Sequence, residues 1–213
     1  MGGGHSHEHR RPAWGEPEPG PIRRLVDRAR SLVSGERRPS EGGLRDLPLA
    51  LRRGELAQAY LEAERGADHR RAAAAAVAAM ERAAGGGEWW PADIWAHRAL
   101  WHFEQAQLSL QAARQARRIG DLRVAAGDPD SARRYYAEAI DEARDIGAEH
   151  EQGLAALGLG RALMDRGEVT VARRLASAAV DLLRRAEAPR QEIEAAERLL
   201  GSEVAVGETE EDG

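Results

Sequence analysis

Three glycines set 40 residues apart, Gly87, Gly127 and Gly167, constrain this chain more than any other feature. The same interval separates Ala92, Ala132 and Ala172, and again Ala99, Ala139 and Ala179. Gly120 and Gly160 fit the lattice, with Met80 in the remaining slot. Self-similarity at a fixed period of this length is the signature of a solenoid built from stacked supersecondary units. Each unit reads as a helix, a glycine-led turn and a second helix. The coincidence at one glycine and two alanines argues against a plain alanine-rich bundle, which has no reason to repeat at all three.

The unit Ala113–Gln152 is the clearest. Its first helix carries Ile119 and Gly120, its turn reads Gly127-Asp128-Pro129-Asp130, and its second helix carries Ala132, Tyr136 and Ala139. Gly127 suits a helix end that needs positive φ. Pro129 suits a first helical turn, where no amide partner is required. The next unit, Gly153–Glu192, has Leu159-Gly160, Leu163, Gly167-Glu168, Ala172, Ala176 and Ala179. The preceding unit, Ala73–Ala112, keeps Gly87, Trp89, Ala92, Ala96 and Ala99. A weaker copy covers Leu49–Gly66, with a first helix cut short by Pro48, and Arg190–Leu200 reads as a closing helix.

This pattern resembles the tetratricopeptide repeat, and its long period is similar to the degenerate arrays of large bacterial transcriptional activators. The resemblance covers roughly residues 47–200. It implies an all-α fold, a right-handed helical-hairpin solenoid or TPR-like superhelix with flexible tails. It also implies a concave groove lined by first-helix residues, here Arg114, Arg117, Asp121, Leu154, Leu157, Arg161 and Met164. Arginines there can hold a carboxylate through paired hydrogen bonds. The Lys and Asn clamp used by the chaperone-binding branch of the family is absent, because the chain contains neither residue type.

A second candidate surface follows from comparing repeats. Trp90, Ile94, His97 and Trp101 recur at i, i+4, i+7 and i+11, one stripe of a helix. The matching slots elsewhere are Asp130, Arg134, Ala137 and Asp141, then Thr170, Arg174, Ser177 and Asp181. The family's own packing positions on this helix are Trp89, Ala92, Asp93, Ala96, Ala99 and Leu100. An aromatic stripe where sister repeats are polar marks either a partner site or a seat for another part of the chain.

Outside the repeats, residues 1–21 form a Gly/His/Pro tail expected to be disordered, and 201–213 an acidic tail expected to be solvated. In the segment 22–46, Ile22, Leu25, Val26, Ala29, Leu32 and Val33 share one helical face, with Arg23, Arg24, Asp27, Arg28 and Arg30 on the rest. This basic amphipathic helix is expected to cap the solenoid, with a partner-binding helix or a membrane-surface helix as the alternatives.

The remaining chemistry is mostly exclusion. With no cysteine, disulfides and thiolate catalysis drop out. A net charge of −5 argues against a nucleic-acid footprint. No apolar run approaches a membrane span, so no stable membrane association and a cytoplasmic location are expected. His5, His7 and His9 lack an ordered surround, and no metal or cofactor is assigned. No nucleophile elbow or phosphate loop is present, so a non-enzymatic role is expected. The reading is a protein–protein interaction module, an adaptor or assembly scaffold for a protein or peptide, with a homodimer as a further possibility. The alternative is a regulatory sensor for a small molecule or signalling peptide.

Overall fold

A computed structural model describes residues 48–202. The N-terminal tail, the segment 22–46 and the C-terminal tail from residue 203 onward lie outside the described residues. Eight α-helices follow a short 3-10 turn, Leu49–Leu51: α1 (Glu55–Arg65), α2 (His69–Gly85), α3 (Trp89–Gln105), α4 (Ser109–Ala125), α5 (Pro129–Asp145), α6 (Glu149–Met164), α7 (Val169–Arg185) and α8 (Arg190–Gly201). There is no strand among the described residues. The all-helical solenoid expected from the sequence is present: α2–α3, α4–α5 and α6–α7 pack most extensively as hairpins, and each hairpin packs on the next.

The spatial period is 20, half the sequence period. Helices begin at His69, Trp89, Ser109, Pro129, Glu149 and Val169. The positive-φ residue of every junction keeps the same spacing: Ala67, Gly87, Gln107, Gly127, Gly147, Gly167 and Glu187. Each junction closes with the same two backbone bonds of a Schellman motif. At the second junction, for example, Glu88 N–H donates to Ala83 at 2.9 Å and Gly87 N–H to Ala84 at 3.0 Å. At the third, Leu108 donates to Phe103 and Gln107 to Glu104, both at 2.9 Å. The residue closing each of the first six motifs also caps the following helix, and the aspartates there use their side chains: Asp68 accepts from Arg71 N–H and Asp128 from Ser131 N–H. The same turn thus joins each pair of successive helices from α1 to α8.

Small residues set the spacing between layers. A β-carbon at Gly120 would stand 2.7 Å from the Tyr136 ring, and one at Gly158 would also collide with that ring. Tyr136 therefore fills the space between α4 and α6, and those two helices also touch each other, as do α6 and α8. In the preceding unit the volumes are exchanged. Met80 replaces the glycine and Ala96 the tyrosine, and the buried Gln115 amide bridges them, reaching Met80 Sδ and the Ala96 carbonyl at 3.2 Å each. Here α2 and α4 do not close up in the same way, and a cleft remains between them.

Candidate functional site

The aromatic stripe of α3 is divided among three environments. His97 is only 7% exposed. Its Nδ1–H donates to the Asp93 carbonyl at 2.7 Å, which leaves Nε2 to accept from the Tyr135 hydroxyl of α5 at 2.6 Å. Burial lowers the His97 pKa, against the pull of Asp93. Ile94 is half-buried against the core. Trp101 is half-buried, its ring edge-on to His69 and His102 at 5.5 and 4.6 Å between centroids. Trp90 alone of the four is open, at 59% exposure. Its neighbour Trp89, a packing position in the family pattern, is 41% exposed instead, because it starts the helix beyond the end of the core. Ala92, Ala96, Ala99 and Leu100 are buried as that pattern expects.

Sequence reasoning missed the polar cluster that ties α3 to α1 and α2. Tyr60, buried on α1, packs edge-on to Trp95 and His102. Its hydroxyl donates to Glu64 at 3.1 Å and accepts from Arg98 at 3.0 Å. With its one proton used, it accepts from His102 Nε2–H, also at 3.0 Å. The tautomer of His102 follows: Nδ1 carries the lone pair and accepts from His69 Nδ1–H at 3.0 Å. Burial, then the neighbouring His69 and Arg98, push His102 down to about 4. Burial pushes Tyr60 up to about 12, with Arg98 opposing. His69 and His102 are 33 positions apart, and no local spacing signals their meeting.

The groove residues lie on α4 and α6, and Glu151 of α6 holds two of the arginines. Glu151, buried, accepts from Arg117 Nε at 2.5 Å and lies 3.5 Å from Arg114 Nε. Arg117 also reaches Asp121 at 3.0 Å. Burial alone would lower the Arg117 pKa, but Glu151 outweighs it and the net shift is upward. Asp121 accepts from the Tyr136 hydroxyl at 2.8 Å. Leu157 is buried, and Leu154 and Met164 are half-buried against the core. The open members are Arg114, Asp121 and Arg161.

The cleft between α2 and α4 measures about 360 Å³ and is lined by Met80, Glu81, Ala84, Arg118, Asp121, Leu122 and Ala125. A 2.6 Å ion pair, Glu81–Arg118, crosses it. Antiparallel packing places this cleft at the end of the array that also carries the first turn of α3. Arg123 of α4 and Asp93 of α3, paired at 2.9 Å, fix that alignment. Three of the exposed large apolar residues, Trp89, Trp90 and Val124, gather at this end.

Glu104, Glu138 and Glu142 bring carboxylate oxygens within 4.8 Å of one another, but all three are engaged in other interactions. No helix among the described residues is long and apolar enough to cross a membrane. The fold and its surfaces define the class: a helical-repeat protein of consecutive packed hairpins. Comparison with family models, curated proteins and solved structures matches this chain to none of them.

Proposed function

We propose that this chain is a non-enzymatic, TPR-like interaction module, an adaptor or assembly scaffold of the cytoplasm that binds a protein or peptide. One observation carries the reading: an apolar cleft crossed by an Arg–carboxylate pair lies at the same end of the array as Trp89, Trp90 and Val124. Open tryptophans at the same end of the array as an apolar cleft have the composition of an interface hot spot. A preformed array of this kind accepts an amphipathic helix with little backbone change. Arg114 and Arg161 supply open positive charge along the neighbouring groove for an acidic flank of the ligand. Arg117, the third arginine of that groove, ties α4 to α6 through Glu151 instead.

The test is selection from a library of displayed helical peptides on the full chain, followed by titration against Leu122→Glu and Trp90→Ala. Selected peptides should lose at least tenfold affinity on both variants while helicity is unchanged. A library that yields no binder, or binders indifferent to both changes, overturns the reading. The cleft volume also falls in the range of small-ligand sites, which favours the sensor reading as the second choice. A saturable rise in melting temperature with a small molecule, abolished by Leu122→Glu, would select it.

A further inference from the structure

We propose that the apolar end formed by Trp89, Trp90 and Val124 is the seat of this chain's own residues 22–33, which dock there as an amphipathic helix. Three observations converge on that occupant. First, the surface is open at the end where the described chain begins. Gly54 and the first turn of α1 lie at the same end as the first turn of α3 and the last turn of α4, since the helices alternate in direction. The described chain therefore begins near the end of the helices that carries this surface.

Second, the reach suffices. Residues 34–47 supply 14 linking residues, a span of up to about 46 Å when extended. Packed helix axes lie about 8–10 Å apart, so α3 and α4 are two and three such steps from α1. A 12-residue helix is about 18 Å long, enough to cross the ends of two neighbouring helices.

Third, each surface lacks what the other offers. Ile22, Leu25, Val26, Leu32 and Val33 form an apolar face on a segment too short to be a stable helix alone in water. Trp90, at 59% exposure, and Val124, at 37%, are apolar groups left open among the described residues. Arg23, Arg24, Arg28 and Arg30 outnumber Asp27 on the polar face, and Glu88, exposed immediately before Trp89, offers opposite charge. Docking covers the end of the array where the proposed partner would bind, so partner and segment compete. The intramolecular contact rests on the same surface as that functional reading, but its test needs no partner, and either idea can fail alone.

The absence of native cysteine makes the contact directly measurable. In the full chain, Ser31→Cys, on the polar side of the segment, is combined with Ala126→Cys, exposed beside Val124, and treated with a short thiol–thiol cross-linker at low micromolar protein. Intramolecular cross-linking should run at least tenfold faster than in a Ser31→Cys/Ile146→Cys control, since Ile146 is exposed at the opposite end. Adding Leu25→Asp and Leu32→Asp should abolish the difference. Equal rates in the two pairs overturn the proposal. So do cross-linked dimers from a mixture of the two single-cysteine chains, which would make the surface an interface between copies.

Discussion

The Tyr136 ring lies against the α-carbon of Gly120 so closely that a β-carbon there would stand 2.7–2.9 Å from three of its atoms. The same ring blocks a side chain at Gly158, so it is held from both sides and cannot easily step aside. Gly120→Ala should therefore cost about 1–3 kcal/mol, as overpacking does. Tyr136→Ala removes the obstacle, and Ala96 and Ala176 show that the lattice accepts alanine in that slot. The double variant should be more stable than the sum of the two single losses, by about 1 kcal/mol in a double-mutant cycle. Strict additivity in urea denaturation would refute the contact.

Gln107 holds a positive φ of 54° at a junction where its counterparts Gly87, Gly127, Gly147 and Gly167 are glycine. A side chain in the left-handed region costs about 1–2 kcal/mol, of which the extra freedom of glycine in the unfolded chain cancels part. Gln107→Gly should raise stability by about 0.5 kcal/mol. Ala67→Gly and Glu187→Gly, at the equivalent φ of 51° and 50°, should do the same. Three losses of stability, read by thermal denaturation, would mean that the side chains earn more in contacts than the backbone strain costs.

Glu151 is buried between Arg114 and Arg117 and is the shared acceptor of the α4–α6 groove. Glu151→Gln leaves the Arg117 guanidinium partly buried with only Asp121, and should cost about 3 kcal/mol. Glu151→Gln with Arg117→Met removes the stranded charge and should recover more than half of that loss. Chemical denaturation of the single and double variants decides, and no recovery would show that the pair's value is direct rather than compensatory.

His102 titrates near 4 in the fold because it is buried, against an ordinary value of 6.5. Between these values the unfolded chain binds a proton that the native chain does not. The stabilising contribution is thus complete above about pH 6.5 and is lost as pH falls toward 4, with His97, also lowered by burial, acting in the same sense. Stability should fall by about 1–3 kcal/mol between pH 7.5 and 4.5 from these groups. His102→Gln keeps a donor for Tyr60 but cannot titrate, so its stability should change less over pH 7.5–5. An unchanged slope would place the pH sensitivity elsewhere.

The 40-residue lattice was enough to state the class of fold, because Gly120, Gly160 and the repeated alanines are steric requirements of close helix packing. It was not enough to reveal the period of 20. Successive junctions share a backbone geometry, but Ala67, Gln107 and Glu187 meet it without the glycine that makes such a turn visible in a sequence. The aromatic stripe was legible as a periodicity, and periodicity fixes a direction around α3 but not what lies in that direction. Only the packing of α5 supplied Tyr135 to His97, only α1 and α2 supplied Tyr60 and His69 to His102, and only the start of α3 beyond the core left Trp90 open. Local rules determine which residues form helices and where they turn. The fate of each side chain depends on neighbours some 30 to 40 residues away, and only the tertiary structure brings them into contact.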